Sequence, residues 1–247
     1  MKARMATVFA GTMAFVSVSA VQASPPVPAF SSMAPAGEIF SWLPLKPAPK
    51  APATRYSLVG DGGATVVHAQ ADRSMSGLIH TLRVDTRRYP RLRWRWKIGA
   101  PVAAADMTRK DGDDYAARVY VMFDYPLERL GFGTRMKLMA GEALYGQKLP
   151  TATLNYVWDN RQPTGTMRAN AYTDRARMIV LRSGPTEAGT WVTETRDLRA
   201  DFRAAFGEEA PDVVALAIAT DTDNTGSRAE AWYGDLQFLP PEKRPPQ

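Results

Sequence analysis

Leu92-Arg93-Trp94-Arg95-Trp96-Lys97-Ile98 decides the fold class. Apolar and cationic residues alternate without a break. That period of two puts Leu92, Trp94, Trp96 and Ile98 on one face of a strand and Arg93, Arg95 and Lys97 on the other. One face belongs in a core and the other in water, the pattern of a sheet wetted on one side. Ala117-Arg118-Val119-Tyr120-Val121-Met122-Phe123-Asp124 repeats it, with Val119, Val121 and Phe123 inward and Arg118, Tyr120, Met122 and Asp124 outward.

Working outward, runs of strand character at 55–59, 65–71, 78–85, 117–125, 153–158, 177–182, 191–197, 213–220 and 230–238 are separated by Gly, Asp, Asn and Pro. Many short strands with punctuated turns read as a sandwich. Asp61-Gly62-Gly63 is a hairpin turn, because glycine takes positive φ without strain. A helix is expected at 200–206, with Asp201 favouring the positive end of its dipole. The fold expected is all-β: a jelly-roll-like antiparallel β-sandwich with one short helix.

At the N-terminus, Lys2 and Arg4 precede an apolar run that ends at Val21-Gln22-Ala23, the pattern of a signal peptide cleaved after residue 23. Export to the periplasm or the exterior follows, and no transmembrane segment is expected after cleavage. Residues 24–53 are rich in Pro and Ala and read as a linker, with an anchoring strand near 38–43 where Ile39, Phe40, Trp42 and Leu43 cluster. Residues 54–239 form a single domain and 240–247 a Pro-rich tail. With no Cys in the chain, disulfides, thiolate metal sites and thiol nucleophiles are excluded. Lys2 and Arg4 supply two of the formal +6 charges, so the mature chain carries +4, too little to point to nucleic acid.

The window 83–97 nevertheless holds Arg83, Arg87, Arg88, Arg91, Arg93, Arg95 and Lys97 against the single acid Asp85. If the strand at 92–98 neighbours that at 117–125, Arg93, Arg95, Lys97, Arg118 and Tyr120 make a basic face for an anionic ligand, joined by Asp113, Asp114, Asn155 and Trp158. Aromatic rings stack on sugar C–H faces while amides and carboxylates bond hydroxyls, so the ligand expected is a glycan or another anionic envelope component. Two plainer readings stand beside this one. The cations can pair with Asp111, Asp113, Asp114 and Asp124 in a solvated lattice, and Trp158 can be core.

Asp221-Thr222-Asp223-Asn224-Thr225-Gly226 crowds oxygen ligands into one turn. It is not an EF-hand, since Trp232 stands where that loop needs Glu, but Asp221, Asp223, Asn224 and Asp235 offer a looser cage for a structural calcium. An Asx turn needing no ion is the alternative. His68 and His80 lie in separate strands and make no metal pair, and no Gly-x-Ser-x-Gly elbow exists. An enzyme reading survives in two forms. One is a polysaccharide lyase using Tyr120, His80, Arg95 and Asn155; the other is a glycosidase using two of Asp113, Asp114, Asp124, Asp159 and Asp223.

Taken together, 92–97, Gly112-Asp113-Asp114-Tyr115-Ala116-Ala117-Arg118-Val119-Tyr120-Val121, Tyr156-Val157-Trp158, 221–226 and Ala231-Trp232-Tyr233-Gly234-Asp235 resemble the bacterial family catalogued as domain of unknown function 3047, over about 40–238. The resemblance implies an exported bacterial protein and supplies no catalytic residues. The closing Trp232-Tyr233-Gly234-Asp235-Leu236 strand also looks like the last strand of galactose-binding-like carbohydrate modules.

Overall fold

The computed structural model describes residues 25–46, 48, 50–133, 135–136 and 151–242, so the leader read at 1–23 and the tail beyond 242 lie outside the described residues. The strands, in chain order, are β1 (Leu43–Leu45), β2 (Arg55–Asp61), β3 (Ala64–Asp72), β4 (Met75–Val84), β5 (Arg91–Ile98), β6 (Arg118–Phe123), β7 (Ala152–Asp159), β8 (Met167–Ala169), β9 (Ala176–Ser183), β10 (Val192–Asp197), β11 (Val213–Asp221) and β12 (Arg228–Leu239). Helix α1 (Leu198–Phe206) joins β10 to β11. A seven-stranded sheet runs β1-β4-β11-β6-β7-β9-β8 and a five-stranded sheet β10-β5-β12-β3-β2. The chain changes sheet at β1/β2, β3/β4, β4/β5, β5/β6, β9/β10, β10/β11 and β11/β12, which gives a mostly β, jelly-roll-like sandwich. Every pairing is antiparallel except β7 with β9, made parallel because the short β8 intervenes and returns along the far side of β9. No helix among the described residues is long and apolar enough to cross a membrane.

The alternation at 92–98 is realised as read. Leu92, Trp94, Trp96 and Ile98 are buried, and their neighbours face out. Across the sandwich Trp94 meets Tyr156 at 5.2 Å and Trp96 meets Trp158 at 6.0 Å between ring centroids, so aromatic contacts tie the two sheets together. Helix α1 closes one end of the core by packing Phe202 on Phe123 at 4.7 Å. Its N-cap is Asp197, whose side chain accepts from the backbone N–H of Arg199 and Ala200. Asp201 stands in the first turn as expected, and it is also buried, accepting from the Tyr156 hydroxyl at 2.7 Å and from Arg196 at 2.9 and 2.5 Å.

The segment before β2 is stitched on more closely than a linker. Phe30 and Trp42 are core residues with ring centroids 5.0 Å apart. The anchor lies slightly later than read. Ser41 turns the chain with φ 62°, and β1 pairs with β4 from Leu43, its Pro44 tolerated because β1 is an edge strand. Asp61-Gly62-Gly63 is the β2–β3 turn, with φ 59° and 77° at its glycines.

Candidate functional site

The residues proposed as one face are divided between two. β5 lies in the five-stranded sheet and β6 in the seven-stranded one, so their outward faces point away from each other across the sandwich. Arg93, Arg95 and Lys97 stay together on the first. Arg118, Tyr120, Asp113, Asp114 and Asn155 belong to the second, where Asp221, Asp223 and Asn224 join them. Trp158 is a correction: 1% exposed, its ring tilted against Trp96 and its indole N–H donating to the Gly184 carbonyl, it is core and cannot touch a ligand. Arg118 is another, since at 2% exposure its guanidinium is wholly committed inside the protein.

That second cluster is a lock built round Arg118. Nε and Nη2 donate to the two carboxylate oxygens of Asp221 at 2.8 and 2.5 Å, Nη2 also reaches the Asp113 carbonyl, and Nη1 reaches the Tyr120 hydroxyl at 3.3 Å. The guanidinium lies 4.3 Å over the Tyr115 ring. Asp114, fully buried, accepts from the backbone N–H groups of Asn224 and Thr225 and from the Thr225 hydroxyl, pinning the 221–226 turn to the segment before β6. Asn170 donates to Asp113 at 2.9 Å, and the Tyr172 hydroxyl donates to the side-chain Oδ1 of Asn224 at 2.9 Å. Burial, then the nearby Asp114, raises the Asp223 carboxyl above its usual range.

For a metal, Asp114, Asp221 and Asp223 each bring one oxygen within 4.8 Å of the others. Asp235 is a correction to that set. It stands on β12 and accepts from the backbone and hydroxyl of Ser31, where it caps the turn at Phe30–Ser32. Asp114 takes the place given to Asp235, and Asn224 contributes hydrogen bonds to Asp114 rather than a free carbonyl.

The outward face of the five-stranded sheet is of another kind. Register sets Trp191, Lys97, Trp232 and His68 side by side across four strands' width, since Val192 opposes Trp96, Trp232 opposes Lys97 and His68 opposes Trp232. The Lys97 ammonium lies 4.3 Å above the Trp232 ring and 5.4 Å from that of Trp191, and it pairs with Asp61. Arg95 lies 4.5 Å over Trp191, whose indole N–H donates to Asp61 at 3.1 Å. Hydrogen bonding from Lys97, more than any other contact, holds the Asp61 carboxyl below its ordinary range.

Two glycines make this packing possible. A Cβ on Gly62 would stand 2.7 Å from Trp191 Nε1, and one on Gly234 would stand 2.5 Å from Arg95 Cγ. Gly234 sits where the β12 register shifts between Tyr233 and Leu236, a bulge that leaves room for Arg95 to lie across the backbone. Further along, Arg93 donates to the Gln237 side chain at 2.8 Å. Among the described residues neither Arg93 nor Arg95 has a carboxylate partner: the contacts of Arg93 and Arg95 are an amide and the Gly62 carbonyl.

Sequence reading missed Trp191, Trp232 and His68. Period two in 231–236 held the signal for Trp232, because a core-facing Tyr233 requires an outward Trp232. His68 stacks on Trp232 at 4.6 Å with the rings 5° from parallel, and burial holds its imidazole below the usual value. A base whose folded pKa is lowered leaves the unfolded chain to take the proton first. Stability is therefore level above about pH 6.5 and falls as pH drops below it. The thermal midpoint is expected to decline between pH 6.5 and 5, and His68→Phe, which keeps the stack, to flatten that decline. Equal slopes in the two proteins would remove His68 from the account.

The lyase set is not assembled. Tyr120 and Asn155 are cross-strand neighbours, but Arg95 lies on the opposite side of the molecule, and His80 is held at the β1 edge beside Trp42 by the Ser41 carbonyl. Of the glycosidase set, Asp114 is buried under the 221–226 turn, Asp159 accepts from the backbone N–H groups of Arg161 and Gln162, Asp113 is held by Asn170 and Asp124 pairs with Arg83.

A family model described as "Protein of unknown function (DUF3047)" matches residues 41–237. No curated protein matches the sequence. Similar solved structures include a family 12 xyloglucanase from Bacillus licheniformis, at 7% identity and TM-score 0.41, covering 78% of this chain and 88% of that one. A family 30 carbohydrate-binding module of a Clostridium thermocellum cellulosomal cellulase shows 12% identity and TM-score 0.34 over 83% of this chain and 97% of that one. Endoglucanase 3 of Trichoderma harzianum shows 8% identity and TM-score 0.37 over 75% and 84%. At these scores the likeness is loose.

Proposed function

Because the chain belongs to the DUF3047 family, which brings no assigned activity with it, we propose from the site itself that this is an exported protein that binds an anionic glycan along the outward face of its five-stranded sheet. The observation that supports this most is the state of the β5 cations: Arg93 and Arg95 lack carboxylate partners among the described residues, while Arg95 and Lys97 lie against two half-buried tryptophans. A purely solvated lattice would neutralise its arginines. Here guanidinium groups able to take a carboxylate in bidentate fashion alternate with rings able to carry a sugar face. A polyuronate supplies both partners at once.

The test is retention of the purified protein on an insoluble polyuronate and on a neutral glucan, with the same mixtures assayed for reducing and unsaturated ends. Retention on the polyuronate that weakens with salt, none on the glucan and no new ends are the expected results. New ends would establish the carbohydrate-active enzyme instead, and equal retention on both polymers would remove the anionic ligand.

The calcium expected from the 221–226 turn is proposed at Asp114, Asp221 and Asp223, away from this face. It rests on the three convergent carboxylates. A melting midpoint several degrees higher with millimolar calcium, reversed by chelator, supports it, and an indifferent midpoint leaves the turn to its own hydrogen bonds.

A further inference from the structure

The cationic row on β5 does not stop at Arg93. Two residues earlier, on the same face, Arg91 opens into a cavity of about 390 Å³ between the β4–β5 loop, the β10–α1 junction and the segment after β12. Arg87, Arg199 and Arg203 also line it, while Asp197 and Glu242 are its acids. Asp197 is spent on capping α1. Arg199 and Arg203 share one carboxylate, Glu209, at 2.8 and 2.9 Å, and Arg87 is drawn back to Asp85.

Arg91 is the informative member. Its side chain is 20% exposed, its Nε is buried without a hydrogen-bond partner among the described residues, and its Nη1 meets the carboxylate of Glu242. Glu242, by contrast, is 83% exposed and enters from the closing tail. A solvated tail carboxylate thus sits on a recessed guanidinium whose hydrogen-bonding capacity is only partly used.

We infer that this cavity is a subsite for one carboxylate-bearing sugar at the end of the bound glycan, and that Glu242 occupies it as the protein's own competitor; the inference rests on the glycan reading above. The volume falls in the range of small-ligand clefts, and the Arg91 guanidinium, in ion-pair contact with Glu242 but with Nε and Nη1 both lacking a hydrogen-bond partner among the described residues, has donors to offer a uronate carboxylate. The capped end of α1 is not the receptor. The guanidinium groups are.

The experiment is titration of the purified protein with monomeric galacturonate and with galactose, followed by NMR or calorimetry at low salt. Galacturonate is expected to bind weakly and galactose not at all. Glu242→Gln should strengthen galacturonate binding about three- to fivefold, the scale set by loss of one exposed ion pair. Arg91→Gln should abolish it, and Arg203→Gln, at a more exposed position, should weaken it with the thermal midpoint preserved. Unchanged or weaker binding in Glu242→Gln overturns the competitor, and galacturonate binding indifferent to both arginine variants overturns the subsite. Polyuronate retention separates the two readings: if it persists in these variants and vanishes only when the tryptophans are removed, the sheet face stands and the cavity falls.

Discussion

Arg118→Met is expected to lower the thermal midpoint by about 10 °C. The change removes the only cation in contact with Asp221 among the described residues, an acid whose side chain is 2% exposed, and withdraws a guanidinium from Asp113. Breaking a buried pair by deleting one partner costs about 3–5 kcal/mol, because the remaining charge is left without water and without a counterion. In a domain of this size each kcal/mol moves the midpoint by about 2–4 °C. Further loss follows from the Asp113 carbonyl and the Tyr120 hydroxyl, both deprived of a donor. The effect has a check that a packing defect would fail. Adding Asp221→Leu to Arg118→Met removes the stranded charge and should recover a large part of the midpoint, since apolar replacement of a whole buried pair is often near neutral. A single variant within 1 °C of the parent, or a double variant that loses as much again, would show that this pair does not lock the turn.

The same pair shows why the site was only half legible. Alternation at 92–98 and 117–124 gave the correct inward and outward faces, because backbone pleat fixes them locally. Sheet membership is non-local. Nothing within either strand states that the chain changes sheet between β5 and β6, so the two outward faces were merged into one basic surface. An outward position was also equated with an exposed one. Arg118 does point away from the intersheet core, yet the segment before β6 and the 221–226 turn fold over it. Trp158 failed for a related reason: β7 is buried on both faces, and such a strand hides which of its aromatics are wet. The helix and nearly all strands were visible from periodicity and turn residues, whereas three-residue β8 is too short to show a period.

The Trp-Tyr-Gly-Asp-Leu run on β12 illustrates how much a short motif says once register is known. Trp232 faces out beneath Lys97, Tyr233 faces in with its hydroxyl on the Ala219 carbonyl, Gly234 clears the path of Arg95, Asp235 caps the Phe30–Ser32 turn, and Leu236 returns to the core. Five consecutive residues have five separate physical reasons. Two of them, Trp232 and Gly234, shape the outward face alone, and that face is where replacement should change binding before it changes stability.

Trp191→Ala with Trp232→Ala is therefore expected to weaken polyuronate binding by about a hundredfold while leaving the fold intact. Each ring supports a cation at 4.3–4.5 Å and offers its remaining surface to a sugar. Removing an aromatic anchor from a contact surface typically costs 1–2 kcal/mol or more, roughly five- to thirtyfold apiece. The loss arises twice over: the stacking surface goes, and Arg95 and Lys97, no longer held over a ring, recover side-chain freedom that binding must then remove. Both tryptophans are half-buried on a wet face, so the thermal midpoint should move far less than a core substitution would move it. Charge and platform can be told apart by salt. Arg95→Gln should flatten the dependence of affinity on ionic strength, whereas the tryptophan pair should lower affinity at every salt concentration with the slope kept. A double variant that binds polyuronate as tightly as the parent would show that these rings only buttress their cations, and the ligand would have to be sought elsewhere on the molecule.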